Sequence, residues 1–203
     1  INLHNQEPNR NRYESRYFWE ELYELIAASG FSGIEIPYEP VWQFGGRSGV
    51  PFNRYCVNTK YESAANYRAL LSASGINKVT GITFDPNLFM RNDNLDFYFG
   101  ATGHFANEAL AHAADMGADY FAISPSPYYG RIAQYHPDLE NLKEAFAERT
   151  IALLGGLAAK ADELGVTLVL RNEYWSLFGG ERFFDQGVGV LATQRRRKPA
   201  RRA

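Results

Sequence analysis

The stretch FANEALAHAADMGADYFAISPS, residues 105–126, decides the fold. Its first half places Ala109, Ala113 and Met116 on one face of a helix. Gly117 follows at once, and a glycine there is typical of a left-handed helix C-cap, where a Cβ would clash. The next residues, YFAIS, are rich in strand formers. We therefore predict a helix, a glycine turn and a strand in direct succession.

The same succession occurs four times along the chain, which makes it a repeat. The glycines are Gly30, Gly75, Gly117 and Gly165, at spacings of 45, 42 and 48 residues. The segments after them contain FSGIEIPYE, INKVTGITFD, ADYFAISPS and VTLVLRNE. Strands that alternate with helices need crossover connections, and such connections give a parallel sheet. The sequence therefore predicts an α/β fold.

The apolar periodicity also predicts details of the helices. The first helix is expected to bury Phe18, Leu22, Leu25 and Ile26. A capping box is expected at Thr59 with Glu62, ahead of a helix that buries Tyr67 and Leu71. We expect a second capping pair at Asn141 with Glu144, and a helix that starts near His104.

Two α/β architectures fit the repeat, a doubly wound open sheet and a (β/α)₈ barrel. No G-x-G-x-x-G loop follows the first of the four strands, and the strands end in long loops rich in aromatic and polar residues, which favours the barrel. Ile1–Asn5 would add one strand and give about five strand–helix units, whereas complete barrels usually need about 250 residues. We expect an incomplete TIM-barrel-type domain over residues 1–186 and a basic, disordered tail over residues 187–203.

Composition and charge exclude several classes of function. The net charge is −2, but six of the 21 basic residues lie in the last nine positions, and residues 1–194 carry 15 basic against 23 acidic side chains. So acidic a body argues against nucleic-acid binding. Because no apolar stretch reaches the length of a membrane span, we expect no membrane partner. The lone cysteine, Cys56, fits a reducing compartment, so we expect a cytoplasmic protein.

Ligands of parallel α/β folds bind at the carboxyl ends of the strands, and this rule selects the candidate residues. Carboxylates suited to proton transfer or metal binding share that edge with aromatic rings suited to the apolar face of a sugar. The candidates are Glu35 and Glu173 for catalysis, and Tyr38, Trp42, Tyr128, Arg131, His136, Arg171 and Trp175 for substrate binding. The combination indicates a small sugar or polyol as the substrate.

Several of these candidates also have structural interpretations. If Ile34 and Ile36 face the helices, Glu35 points to the opposite face, either as a site residue or in a buried ion pair. Both alternatives stay open for Glu35. Tyr128 could instead close a loop over the core, and His136, which precedes a proline, could be only a loop residue. Glu173 is the strongest candidate because it ends an apolar strand at the expected active edge.

With these residues in view, the chain resembles the xylose isomerase-like TIM-barrel superfamily, the sugar phosphate isomerase/epimerase group. The resemblance rests on FWEELYELIAASGFSGIEIPYEP, GHFANEALAHAADMGADYFAISPSP and LGGLAAKADELGVTLVLRNEYWSLFGG. It covers roughly residues 1–186. It implies a (β/α)₈ barrel with a divalent metal (Mn, Mg, Co or Zn) at the carboxyl end, and proton transfer between neighbouring carbons of a sugar through an enediolate.

The resemblance also implies a role for the segment LVLRNE. Glu173 matches the family's first metal-ligand glutamate, and it would share in proton transfer. In many relatives the glutamate directly follows the apolar strand residues, a position that Arg171 holds here. Arg171 is therefore expected to bind a substrate phosphate or carboxylate. The family's later metal ligands have no counterpart in this sequence, so the metal site is expected to be incomplete.

Three functional hypotheses follow. The first is a metal-dependent sugar or sugar-phosphate isomerase or epimerase. The second is another chemistry on the same fold, either a polyol dehydratase or an abasic-site endonuclease; four scattered histidines and the acidic body argue against the nuclease. The third is a truncated, non-catalytic barrel fragment whose exposed strand edges pair with a second copy to form a homo-oligomer.

Overall fold

Four parallel strands and five α-helices form the part of the chain that the computed structural model describes, residues 16–40, 53–89, 94–124 and 139–171. The strands are β1 (Gly33–Pro37), β2 (Lys78–Phe84), β3 (Tyr120–Ile123) and β4 (Thr167–Leu170). The helices are α1 (Arg16–Ala28), α2 (Arg54–Tyr61), α3 (Ala64–Ala73), α4 (Leu95–Asp115) and α5 (Leu139–Leu164), with a short 3₁₀ helix at Pro86–Phe89. The predicted α/β class is confirmed.

The strand order in the sheet is β1-β2-β3-β4, the same as the order along the chain. All three neighbouring pairs are parallel. Because crossovers between parallel strands are right-handed, a sheet that grows in one direction keeps its helices on one face. A doubly wound sheet reverses its strand order at a switch point, and the four described strands show no reversal. One face of this sheet is therefore left without helices from these crossovers.

The glycines that follow the helices adopt the predicted left-handed conformation. Gly30, Gly75, Gly117 and Gly165 have φ angles of 87°, 88°, 65° and 70°. At Gly117 and Gly165, the glycine N–H and the N–H of the next residue bond to carbonyls of the last helical turn. The four glycines thus end the helices that precede β1, β2, β3 and β4, and they direct the chain into these strands.

Two alanine substitutions are expected to move stability in opposite directions. Gly165→Ala should cost about 1 kcal/mol, because an L side chain is strained at its positive φ. Gly156→Ala should gain about 0.5–1 kcal/mol, because Gly156 lies inside α5 and no atom within 4 Å would meet the new Cβ. Urea unfolding of both variants checks this, and a shift of the same sign in both would contradict the C-cap assignment.

The core lies between the sheet and the helices. Strand residues such as Ile36, Ile82, Phe121 and Ile123 are fully buried on this side. The predicted buried face of α1 is confirmed in part: Ile26 is buried and Leu22 packs against the core, whereas Leu25 is 61% exposed and Trp19 and Tyr23 are buried instead. The Phe18 side chain lies outside the described residues. The aromatic stripe wins because Trp and Tyr bury more apolar area than leucine.

Two predicted helix starts differ from the structure. Thr59 lies inside α2, so the proposed capping box with Glu62 is wrong. Ser63 caps α3 instead, because its hydroxyl accepts a hydrogen bond from the Asn66 N–H. His104 lies in the middle of α4, which begins after its N-cap Asn94.

The predicted start of the last helix also differs from the structure. Helix α5 begins at Leu139, so Asn141 lies inside it rather than at its start. The predicted strand Ile1–Asn5 and the predicted tail at residues 187–203 lie outside the described residues. Within the described part of the chain, no helix combines the length and the apolar character of a membrane span.

Buried tyrosine and cysteine side chains with raised pKa values predict that the fold is less stable at alkaline pH. Tyr23 and Tyr67 share a hydrogen bond of 2.6 Å between their hydroxyls, and burial raises the pKa of both. Burial raises the pKa of the Cys56 thiol to about 11. The folded chain therefore keeps protons that the unfolded chain loses from about pH 9 upward, so stability falls as the pH rises through this range. We expect a lower urea midpoint at pH 10.5 than at pH 8; equal midpoints would contradict this assignment.

Candidate functional site

The sheet face opposite the core, here called the inner face, carries polar side chains. On β1, Ile34 and Ile36 are fully buried against the helices, so Glu35 and Pro37 point to the inner face. The register places Glu35, Gly81, Tyr120 and Thr167 in one row across the sheet. The inner face therefore consists of the residues of this row, together with every second residue before and after them along each strand.

An extra residue in β2 sets the register of this row. The pairing shifts between Ile34 and Glu35, because Ile34 lies opposite Val79 whereas Glu35 lies opposite Gly81. Thr80 is the extra residue, and its hydroxyl donates a hydrogen bond of 2.9 Å to the Ile34 carbonyl. The bulge thereby places a glycine, not a larger side chain, beside Glu35.

Glu35 is the centre of a hydrogen-bonded cluster on the inner face. The Tyr120 hydroxyl donates to Glu35 Oε2 at 2.5 Å, and Arg171 Nη2 donates to Glu35 Oε1 at 2.6 Å. The Glu35 side chain is 10% exposed and that of Arg171 is 38% exposed. Between the two interpretations of Glu35, the structure shows the ion pair, and its role in a site stays a prediction.

Gly81 makes the contact between Tyr120 and Glu35 possible. The Tyr120 ring reaches from β3 across β2, and it occupies the space above Gly81. A Cβ at Gly81 would overlap the ring atoms Cε2, Cζ and Cδ2 of Tyr120. The absence of a side chain at this position therefore lets the phenol reach the carboxylate two strands away.

The ion pair between Glu35 and Arg171 requires a curved sheet. In a flat sheet, β1 and β4 would lie about 14 Å apart, and Arg171 would lie about 13 Å further along the strands, four residues beyond Thr167. No glutamate and arginine side chains span that diagonal together. Because their atoms lie 2.6 Å apart, the inner face is concave along this diagonal.

The surroundings of Tyr120 favour the protonated form of its phenol. Burial, and then the hydrogen bond to the Glu35 carboxylate, raise the pKa of Tyr120 above its usual value. Tyr120 is therefore a hydrogen-bond donor at neutral pH, and both Glu35 oxygens accept from a partner. Arg171 is held by a charge-assisted hydrogen bond, which orients its planar guanidinium at the carboxyl end of β4.

The described carboxylates do not fit the divalent metal that the resemblance implies. The Arg171 guanidinium lies against Glu35, and its positive charge opposes a second cation at the same carboxylate. Among residues 16–40, 53–89, 94–124 and 139–171, no three His, Cys, Asp or Glu side chains are grouped closely enough to hold an ion. The metal prediction therefore depends on Glu173, which lies outside these ranges.

Tyr38 lies on the other side of β1 from Glu35. Its ring packs against Phe84 and His112, and its hydroxyl donates to Glu108 Oε2 at 3.0 Å. Burial and the Glu108 carboxylate raise the pKa of Tyr38 above its usual value. Tyr38 also lines a cavity of about 490 Å³ between β1, α2 and α4. The structure thus brings Glu35 and Arg171 together, and it places Tyr38 on the opposite side of β1 from both.

The remaining candidates cannot be placed. They are Trp42, Tyr128, Arg131, His136, Glu173 and Trp175, and all of them lie outside the described residues. Their predicted roles stay predictions.

Three residues that surround Glu35 or Tyr38 were not predicted from the sequence. The roles of Tyr120 and Gly81 can be seen only in the register, which places both beside Glu35. The sequence did offer one signal: side chains alternate along a strand, so Tyr120 lies on the same face as Ala122. Glu108 lies within a helix, far from any strand end, so the strand-end rule does not select it.

No protein family matches the sequence, and no characterised protein shows significant similarity to it. The inner face is therefore the feature of the structure from which a function is inferred.

Proposed function

We propose that the four described strands are consecutive strands of a (β/α)₈-barrel wall, and that its concave face binds a small sugar, polyol or sugar phosphate. The observation that carries this proposal is the Glu35–Arg171 ion pair across the sheet. It needs a concave face, and it holds a guanidinium at the carboxyl edge, where barrel enzymes bind their substrates.

Arg171 supplies the substrate contact in this proposal. A guanidinium has five N–H donors in a planar fork, and the hydrogen bond to Glu35 uses the Nη2 group. Because the side chain is 38% exposed, the other donors are accessible to hydroxyl or phosphate oxygens. Glu35 and Tyr120 position the guanidinium before the ligand arrives, which lowers the entropic cost of binding.

The proposed reaction is isomerisation or epimerisation, with a proton moved between neighbouring carbons through an enediolate. Glu35 is a positioning residue in this scheme, because both of its oxygens already accept hydrogen bonds. Proton transfer is assigned to Glu173, on the resemblance alone. The divalent metal is a further expectation tied to Glu173, and no step above depends on it.

Solvent deuterium exchange tests the proposed reaction. The full chain is incubated in D₂O with a panel of ketoses and ketose phosphates, with and without Mn²⁺ or Mg²⁺, and exchange at the α-carbon is followed by proton NMR. We expect exchange in at least one substrate, and a loss on the order of a hundredfold in Arg171→Lys, which keeps the charge but loses the planar fork.

The control for this experiment is Lys78→Arg, which changes an exposed cation in β2. It should leave the exchange rate unchanged. Saturable sugar binding without exchange by the folded chain would reject the isomerase proposal in favour of a non-catalytic binding domain. Equal rates in wild type and Arg171→Lys would reject the role of Arg171.

A further inference from the structure

The Thr83 hydroxyl lies on the inner face but outside the hydrogen-bonded cluster of Glu35. Thr83 is two residues beyond Gly81 in β2, so alternation places its side chain on the inner face. The residues on either side of it along the strand, Ile82 and Phe84, are buried on the helix side. Thr83 therefore lies about 6.6 Å closer to the carboxyl edge of the sheet than the row of Glu35 does.

The neighbours of Thr83 across the sheet are apolar. The register places it between Pro37 of β1 and Ala122 of β3, and Val169 of β4 follows in the same row. None of these three side chains can donate or accept a hydrogen bond. The Thr83 hydroxyl is thus the polar group of an otherwise apolar row. A row of this kind suits a sugar or polyol, which presents C–H groups and hydroxyls on the same face.

In the part of the chain that the structure describes, the Thr83 hydroxyl has no hydrogen-bond partner. The backbone carbonyl of Thr83, not its hydroxyl, accepts from the Tyr38 N–H. Thr80 on the same strand differs, because its hydroxyl donates to the Ile34 carbonyl at 2.9 Å. Thr83 is only 8% exposed, so little water can replace the missing partner, and a hydroxyl short of hydrogen bonds costs free energy. Such a cost is expected at a functional site, where a bound ligand supplies the partner.

Arg171 and Thr83 face the same space above the sheet. Arg171 lies two residues beyond Val169, so its side chain starts at the carboxyl edge of the inner face. Its guanidinium turns back to Glu35, at 2.6 Å, in the row on the other side of Thr83. The arginine side chain therefore crosses the level of the Thr83 row. A ligand held by the remaining N–H groups of Arg171 meets the Thr83 hydroxyl on the same face.

We infer that Thr83 is a specificity-determining residue of the inner face, and that its hydroxyl forms a hydrogen bond with a hydroxyl group of the sugar or polyol that Arg171 holds. This inference rests on the proposed function, because it requires a ligand on the inner face. The apolar neighbours of Thr83 contact the C–H groups of the same ligand. A site that hydrogen-bonds a ligand hydroxyl discriminates against analogues that lack it, since its own buried group then stays unpaired.

Urea unfolding of the full chain without ligand tests the state of the Thr83 hydroxyl. Thr83→Val should keep or raise the urea midpoint, because valine favours strands and removes a polar group that has no partner. Thr80→Val is the matched control on the same strand. It should lower the midpoint, because it removes the hydroxyl that is bonded to the Ile34 carbonyl. A lower midpoint in both variants would give the Thr83 hydroxyl a structural role and overturn the inference.

Isothermal titration with the panel of ketoses and ketose phosphates, including D-fructose and D-fructose 6-phosphate, tests the ligand contact. For a sugar that binds the wild type, Thr83→Val should weaken binding about tenfold, whereas Thr83→Ser, which keeps the hydroxyl, should stay within about twofold. Equal affinities of wild type and Thr83→Val would overturn the inference and leave the proposed function in place. If the folded wild type binds no sugar of the panel, the proposed function fails, and the inference fails with it.

Discussion

Gly81→Val is expected to destabilise the fold by about 3 kcal/mol, the largest single-residue effect that the inner face predicts. The new side chain would overlap the Tyr120 ring above Gly81. Strand β2 cannot retreat, because it is paired with β1 on one side and with β3 on the other. The ring has to leave, and Glu35 then loses the Tyr120 hydrogen bond.

Urea unfolding of Gly81→Val, with and without a second substitution, checks this account. The double variant Gly81→Val/Tyr120→Ala removes the overlap, so it should be more stable than Gly81→Val alone although it also lacks the hydrogen bond. Gly100→Ala is the control, because no atom within 4 Å would meet its Cβ and it lies inside α4. If adding Tyr120→Ala does not restore stability to Gly81→Val, the destabilisation by Gly81→Val does not come from overlap with the Tyr120 ring.

Arg171→Met is expected to cost about 2 kcal/mol, less than the loss of a fully buried pair because the arginine is 38% exposed. Methionine keeps most of the apolar stem but leaves Glu35, which is 10% exposed, without its counter-charge. The free energy of unfolding in urea at pH 7 gives the cost.

The matched control for Arg171→Met is Lys78→Met, which breaks the exposed ion pair between Lys78 and Asp119 on the same sheet. Exposed pairs contribute about 1 kcal/mol or less, so its cost should be clearly smaller. Equal costs for the two variants would show that the partly buried Glu35–Arg171 pair stabilises the fold no more than an exposed ion pair does.

The local elements of the fold could be predicted from the sequence because their signals are local. Gly30, Gly75, Gly117 and Gly165 mark the ends of the four helices that lead into strands, since glycine adopts a positive φ without strain. The burial of α1 could be predicted only in part, because two apolar stripes that share Ile26 compete on that helix. Which stripe is buried depends on Tyr67, which lies 44 residues from Tyr23 and binds its hydroxyl.

The candidate site could be predicted only in part. Alternation of Ile34 and Ile36 around Glu35 was enough to orient the glutamate, since strand periodicity is a property of the local sequence. Its partners could not be deduced, because Arg171 is 136 residues away and reaches Glu35 only across a curved sheet. A one-residue bulge at Thr80 decides that Gly81 stands beside Glu35, and the sequence carries no clear signal for it.

A double-mutant cycle on Glu35 and Arg171 tests the central claim, a concave inner face that brings the Glu35 side chain of β1 into contact with the Arg171 side chain just after β4. The cycle compares the unfolding free energies of wild type, Glu35→Gln, Arg171→Met and the double variant. Contact at 2.6 Å predicts a coupling energy of about 1–2 kcal/mol. Costs that add to within about 0.3 kcal/mol would contradict the claim, because side chains on opposite edges of a flat sheet do not interact.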